Sequence, residues 1–533
     1  MSSSSSTMRM CLVLMAPPLL FAGEWHRFRA EVYSTRAMRF RLVSSEISVD
    51  VRTQARYGVR GGPAAFPVRT WLLACRALCD ASCGAEDRRH SREEAQMRAM
   101  GSTRMRRLAL ASVLVLVGMG AATASAGAGR LTPEQHLRLA SIGAPQPDPS
   151  GRRVVYTLRT FDPTERRRRT QLWLLDLDSG VGRQITRGAP VSAPRWSPDG
   201  QRIYFLRDGQ LWSLPMAGGE ARPLTDIPAR VSGYALNPDP QAPPQRRVAI
   251  HTRVHPACPA AEWTCSRQAR ERWDARPGLV SEQFPLRHWS SWRDSLRAHL
   301  FVGDPMQDTW VGLTDGWAPC PPFALAAGEA YRFAPEGRRI ALVRNLDPRT
   351  ALSTDNDVFL IDLENAVRSA ARGERPWQAA TRISRGLSGG GGVDDQPCFS
   401  PDGRYLAYTS MERAGFESDL RRVVLRDLRT HRERCLTCGL DRSAFGLTWS
   451  HDGRYIYFTA YDREANALFR IDVGSGGIRR LLRAGDLGGV APLPDGRLLL
   501  LLGSSRMPAE IFLCDPDALA RSPQRWTADL APA

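Results

Sequence analysis

The stretch FSPDGRYLAYTS at residues 399–410 constrains the fold more than any other feature, because the chain writes the same phrase again and again. Close copies are RWSPDGQRIYFL around Gly200, FAPEGRRIALV around Gly337, WSHDGRYIYFT around Gly453 and PLPDGRLLLLL around Gly496. Weaker copies are PDPSGRRVVYTL around Gly151 and LNPDPQAPPQRRVAI near Asp239. Each has one physical logic: Pro presets φ at the second turn position, Asp bonds back to the backbone, and Gly takes the positive φ that closes a hairpin. The Arg-x-apolar-x-apolar alternation that follows is the pattern of a half-buried strand.

Most copies are followed by a second alternating strand, a turn and another strand, as in QLWLLDLDSGVGRQITRG, QLWSLPMAGGEARPLTD, DVFLIDLENAVRSAARG and ALFRIDVGSGGIRRLLRAG. Strand pairs recurring every roughly 40 to 65 residues fit four-stranded blades around a channel. The spacing therefore predicts an all-β chain, a seven-bladed β-propeller over residues 146–533. The interval from Asp239 to Gly337 is about twice as long as the others and predicts an insertion at about 251–305. Ahead of the repeats, in a lead-in at 127–145, LTPEQHLRLA carries a capping-box pattern, which predicts a short helix at Thr132–Ala140.

The segment from Met105 has the three parts of a secretory signal: Arg106 and Arg107, an apolar run from Leu108 to Met119, and Ala124-Ser125-Ala126 as a cleavage site. The run is shorter than the roughly 20 residues of a spanning helix, so a signal at 105–126 is preferred to an internal anchor. Residues 1–104, with Ser-rich and Arg-rich patches and no sustained period, are expected to be an over-extended, unstructured N-terminus. The mature chain would then begin near Ala126, be periplasmic or secreted, and keep no stable membrane span. In that oxidising setting Cys258 and Cys265, which lie in one short segment, are the candidate disulfide. Seven cysteines follow the signal, an odd number that leaves at least one unpaired.

The formal charge of +18 invites a nucleic-acid reading, but all 73 basic residues are Arg and there is no Lys. Beyond residue 126 there are 55 Arg against 46 acids, a net +9 spread along the chain, and no nucleic-acid partner is expected. The absence of Lys excludes P-loop, Schiff-base and Ser-Lys chemistry, each of which needs a compact amine that Arg cannot imitate. No cofactor is expected.

Longer phrases carry a family. PLRHWSSWRDSLRAHLFV (285–302), DDQPCFSPDGRYLAYTSMERAGFESDL (394–420), DRSAFGLTWSHDGRYIYFTA (441–460) and SSRMPAEIFL (504–513) resemble the propeller domain of the prolyl oligopeptidase family of serine peptidases, nearest the dipeptidyl-peptidase 5 and acylaminoacyl-peptidase-like branch. The resemblance runs from about Leu131 onward. It implies a propeller that restricts entry to an α/β-hydrolase domain, which supplies Ser, Asp and His. Here the final residues resemble the last blade, and the hydrolase is expected to be absent through truncation.

Read without the family, the chain offers little catalysis. Gly386-Leu-Ser388-Gly-Gly390 matches a nucleophile elbow, but the glycines and the blade that follow make it an inter-blade loop, and no His follows His451 to complete a triad. His431, Cys435 and Cys438 are three ligand types where structural zinc takes four, and no metal site is expected. Asp355, Asp357, Asp394 and Asp395 are read as turn residues. Two groups suit peptide binding: Arg287, His288, Trp289 and Trp292, which mix cation, imidazole and aromatic faces, and Glu417 with Asp419, which could meet an N-terminal amine unless Arg413 or Arg421 pairs with them. The expected function is therefore a non-catalytic, substrate-gating propeller whose partners are peptides and a hydrolase domain or protein. The alternative is a stand-alone TolB-like propeller that binds a periplasmic protein or peptide.

Overall fold

A computed structural model of the chain describes residues 131–519 and 524–525, apart from 279–286, 289–290, 293, 324–329, 350–351, 385, 388, 390 and 484. The chain divides into two units, Met1–Gly127 and Ala128–Ala533, and the described residues all belong to the second. The signal-like segment and everything before it lie outside them.

The capping box forms. Thr132 Oγ1 accepts from the Gln135 N–H at 3.2 Å and Gln135 Oε1 accepts from the Thr132 N–H at 2.9 Å, opening helix α1 (Pro133–Arg138). The helix ends earlier than expected because Leu139 turns to ψ 121°, feeding the strand Ser141–Pro147.

Antiparallel four-strand meanders follow at 141–184, 191–223, 231–312, 331–382, 394–435, 445–482 and 486–525. The first five are separate sheets, and the last two join into one of eight strands through the single parallel pair Asn466 and Asp486. Each core cluster draws on two meanders. Val155 and Leu172 meet Ile203 and Phe205, Leu211 meets Ile250 and Phe301, and Leu300 meets Ile340 and Phe359. Val343 meets Leu406 and Tyr408, Val423 meets Ile456 and Phe458, and Leu468 meets Leu500 and Phe512. The succession then returns on itself, since Leu499 and Ile511 of the last meander pack on Val154 and Tyr156 of the first. Successive side chains of a strand point to opposite faces, so Val154 serves one cluster and Val155 the other. A sheet covered on both faces needs near-continuous apolar strands, which is why LLLLL can stand at 498–502.

The repeated phrase forms the turn it encodes. Gly200, Gly337, Gly403 and Gly453 have φ of 68° to 70°. At 399–405 the Gly403 N–H donates to Ser400 O at 2.9 Å, Ser400 Oγ accepts from the Tyr405 N–H at 2.8 Å, and Asp402 accepts from the Arg404 N–H at 3.1 Å. Neighbouring turns stack: Asn237 Nδ2 donates to Gly337 O at 2.8 Å, and a Cβ on Gly337 would stand 2.1 Å from Asn237 Oδ1.

Two recurring devices have no counterpart in the turn phrase. The first strands slip register at Gly143/Gln146, Ser192/Arg195, Asp395/Cys398 and Phe445/Thr448, with Ala144, Ala193, Gln396 and Gly446 at positive φ. Three of these four residues precede Pro, which a bulged edge strand tolerates because no N–H is needed there. The second device is a buried hydroxyl after the fourth strand that accepts a third-strand N–H. Thr186 takes Leu172 at 2.8 Å, Thr225 takes Leu211 at 2.9 Å, Thr314 takes Leu300 at 2.9 Å, Ser384 takes Val358 at 2.9 Å and Thr437 takes Val423 at 2.8 Å.

Two expectations are corrected. The ends of the interval 251–305 are ladder, since Val248–Val254 pairs with Arg297–Asp304 up to Val254 opposite Arg297. The long link is therefore 255–296, holding helix α2 (Trp263–Asp274) and a small hairpin. In DVFLIDLENAVRSAARG only the first half is strand. Asp362 caps helix α3 (Leu363–Ala371) by accepting from the Asn365 N–H at 2.8 Å, and Leu363 and Ala366, one turn apart, are buried.

Candidate functional site

In every meander the repeated turn phrase, or its weaker copy, joins the first and second strands. The links from second to third strand, and from one meander to the next, therefore gather at the opposite end. Six exposed large side chains lie in or beside those links: Trp292, Trp317, Leu346, Leu352, Phe416 and Tyr461. Ser141 opens the first strand at this end, and the last strand, Gln524–Arg525, runs back toward it. The link after the third meander is pinned from below. His299 Nε2 lies 2.9 Å from Gly316 O, and the fully buried Arg344 donates to Asp315 O at 2.7 Å and to Ala318 O while stacking on Trp377 at 4.1 Å. Trp317 is held outside it under Arg297, 5.2 Å away.

The expected peptide-binding residues fall on this same end but in two places. Arg287 pairs with Trp292 and His288 with Ser291 in the hairpin of the 255–296 link, and Trp292 is 65% exposed. The side chains of Arg287 and His288, and Trp289 altogether, lie outside the described residues. Glu417 and Asp419 belong to the 411–421 link of the fifth meander, two meanders along the succession. Glu417 is exposed, whereas Asp419 is engaged in folding its own loop. Its carboxylate accepts from the N–H groups of Glu412 (3.0 Å) and Arg413 (2.8 Å) and from the Arg413 guanidinium (3.0 Å), which also lies 4.0 Å over Phe416. Arg421 turns inward instead and meets Asp395 at 2.9 Å in a buried ion pair.

The acids expected in turns are mostly strand residues at the seam between the fourth and fifth meanders. Asp357, Asp394 and Asp395 are all buried. Arg382 reaches Asp357 at 2.6 Å, and Ser384 lies 3.4 Å from the same oxygen. Burial, with Asp355 nearby and against the pull of Arg382, pushes Asp357 up to about 7. Burial likewise pushes Asp394 up to about 7 against the hydrogen bonds of Ser410 and Ser384. Sequence reasoning missed this cluster because charged residues in a strand look like a turn until the neighbouring sheet that covers them is known.

Cys258 and Cys265 are joined, S–S 2.11 Å, at the start of α2. A second disulfide joins Cys435 and Cys438, so these two thiols cannot serve the zinc reading with His431. Cys320, Cys398 and Cys514 are buried and take part in no disulfide. Of the nucleophile-elbow match, Ser388 and Gly390 lie outside the described residues. Gly386 and Gly389 have φ of 66° and 91° in the link between the fourth and fifth meanders.

At the turn end the first strands surround a cavity of about 640 Å³, lined among others by Gln146, Arg195, Trp196, Tyr234, His251 and Tyr331. His251 Nδ1 lies 2.9 Å from the Tyr331 hydroxyl, and burial lowers its pKa to about 4, so the imidazole is neutral at physiological pH. The walls offer guanidinium groups, ring faces and hydroxyls, groups suited to holding a ligand.

No protein-family model matches the chain. Over 311 residues it is 28% identical to the dipeptidyl-peptidase 5 of Porphyromonas endodontalis, covering 55% of this chain and 40% of that protein. Over 365 residues it is 28% identical to the dipeptidyl-peptidase 5 of Porphyromonas gingivalis, covering 66% and 49%. The chain thus spans half or less of these curated relatives. Among solved structures, an acylaminoacyl peptidase of Pyrococcus horikoshii shares the fold with a TM-score of 0.52 at 15% identity, over 74% of this chain and 53% of that one. Sequence and fold together relate this chain to the propeller portion of prolyl-oligopeptidase-family peptidases.

Proposed function

We propose that the meanders are the seven blades of one ring, and that the ring is the non-catalytic, substrate-gating propeller of an exported serine peptidase of this family. It works against an α/β-hydrolase module that supplies the nucleophile. The observation that carries the reading is the coincidence, at one end, of both ends of the ring, the long links and the six exposed apolar side chains. A module joined at either end of the ring would attach there and cover that apolar surface. The peptide would then reach the hydrolase along the ring axis or past the 255–296 and 411–421 links, whose aromatic and acidic side chains meet it first. Two disulfides among the described residues suit an oxidising compartment, in keeping with export through the 105–126 signal.

The test is the intact mass of the native protein with both termini mapped, together with what co-purifies. A hydrolase adding about 25–30 kDa, fused or bound, is the expected result. A mature species of about 44 kDa, at ~110 Da per residue, that holds no hydrolase would contradict it and favour the stand-alone TolB-like binder.

A further inference from the structure

Of the two disulfides among the described residues, Cys435–Cys438 is the one its sheet does not need. The fourth strand of the fifth meander ends at Cys435, opposite Val424, and the chain turns there into the 436–444 link. That turn is already fixed by other contacts. The Leu436 N–H donates to Val423 O at 2.7 Å, Thr437 Oγ1 accepts from the Val423 N–H at 2.8 Å, and the Leu440 N–H donates to Thr437 O at 3.0 Å. Arg422 Nη1 braces it from the third strand, donating to Cys438 O at 2.8 Å and to Thr437 O at 3.2 Å.

The first four meanders build the same turn without a cysteine. Ile185, Leu224, Leu313 and Ile383 make the main-chain bond of Leu436, to Leu172, Leu211, Leu300 and Val358, and a hydroxyl follows each of them. Where the fifth meander has Cys435 and Cys438, the first three have Gln184 and Arg187, Pro223 and Asp226, and Gly312 and Asp315. The bond also closes a loop with a sequence separation of only 3, against 7 for Cys258–Cys265, and the constraint that a disulfide puts on the unfolded chain shrinks with the loop.

Its surroundings suit opening. Cys438 is exposed and Cys435 half-buried, so a thiolate from solvent reaches the bond on the Cys438 side. The acids nearest in sequence are engaged, Glu433 by Arg426 and Asp441 by Arg442, each at 2.8 Å. The Arg422 guanidinium bears on the Cys438 carbonyl instead, and positive charge beside a cysteine favours its thiolate. Cys320, Cys398 and Cys514 are buried, away from a reductant in solvent.

We propose that Cys435–Cys438 is a thiol–disulfide exchange site whose substrates are dithiols. One thiolate of the dithiol attacks Cys438 Sγ and forms a mixed disulfide as the Cys435–Cys438 bond breaks. The bonding pair leaves on Cys435 Sγ, which takes up the proton that the attacking thiol lost. The second thiolate of the dithiol then attacks its own partner sulfur in the mixed disulfide. Cys438 Sγ departs with the electron pair and is protonated, and the dithiol leaves as a disulfide. Two electrons and two protons have passed to the protein, and the reverse sequence closes the bond. Exposed disulfides are the labile ones, whereas stapling disulfides resist exchange. None of this rests on the gating reading.

The test equilibrates the full chain in graded mixtures of reduced and oxidised dithiothreitol, alkylates with iodoacetamide and maps the cysteines by mass spectrometry. Cys435 and Cys438 should be half alkylated at a ratio of reduced to oxidised reagent at least about tenfold lower than Cys258 and Cys265. Far-UV circular dichroism should not change, and the bond should re-form in the oxidised reagent. Brief exposure to glutathione before alkylation should leave glutathione on Cys438 and the alkyl group on Cys435. Cys435→Ser/Cys438→Ser should keep the parent's strand content and unfold cooperatively in urea. Both disulfides opening together, Cys258–Cys265 opening first, opening only where the dichroism signal is lost, glutathione on Cys435, or loss of cooperative unfolding in the double variant would each overturn the proposal.

Discussion

At the residue scale, the pair Asp357 and Asp394 is the clearest case of a side chain whose charge the fold opposes. Burial raises Asp394 from 3.8 to about 7, so between about pH 4 and 7 the unfolded chain releases a proton that the folded chain keeps. Its contribution to stability then falls as pH rises through that window and levels off above it, opposite in sign to that of His251 and His299, which burial lowers to about 4. Asp394→Asn fixes a neutral form, and we expect the variant to lose part of this slope and to exceed the parent by on the order of 1 kcal/mol or more near pH 8, in urea unfolding at several pH values. Asp357, also raised to about 7, contributes a slope of the same sign. The turn glycines give a second prediction. Gly496→Ala meets nothing within 4 Å and suffers only the φ of 89°, whereas Gly337→Ala adds a Cβ 2.1 Å from Asn237 Oδ1 at φ 69°. The former should cost about 1 kcal/mol and the latter roughly 1–2 kcal/mol more, measured by the same unfolding. The need for Gly here was legible in the sequence, because Pro-Asp-Gly, or Pro-Glu-Gly at Gly337, encodes the turn locally. The partner that makes Gly337 stricter than Gly496 was not, since Asn237 lies 100 residues away.

At the scale of elements, local signals were read well where one element decides its own geometry. The Thr132 cap and the strand after each turn needed no distant partner. The misses came where the deciding contact lies elsewhere. The Ala144-Pro145, Ala193-Pro194 and Gln396-Pro397 steps could have flagged a bulged edge strand, since Pro is unwelcome inside a ladder. Cys435-x-x-Cys438 was weighed only as metal ligands, although two cysteines so close in an exported chain can also bond to each other. The long link in the third meander yields the element-scale prediction. Val254 and Arg297 are paired, so the strands meet at the base of the link and the ladder does not depend on what hangs from it. Replacing residues 256–294 with a short Gly-Asn turn should leave strand content unchanged by circular dichroism. It should also lower the thermal midpoint by a few degrees, about 1–3 kcal/mol for the lost packing of Trp263 on Phe301, whose rings are 5.0 Å apart. Loss of cooperative unfolding would show that the link is part of the sheet's core.

At the scale of the whole molecule, stability rests on the clusters between meanders, and the contact of Leu499 and Ile511 with Val154 and Tyr156 makes the two ends of the succession one core. The recurrence of the turn-and-strand phrase was legible in the sequence; that contact was not, because 499 and 154 share no local signal. Of the expected peptide-binding residues, the sequence supplies the types but not their surroundings. Trp292 stands exposed, while Asp419 is committed to Arg413 and its loop, a difference set by contacts that the sequence alone does not show. The central claim, that this ring admits peptides but does not cleave them, is tested most directly by assaying the purified chain against a mixed peptide library with mass-spectrometric detection. The account predicts no cleavage at any protein concentration. Turnover that scales with the protein and disappears in Ser388→Ala would contradict it.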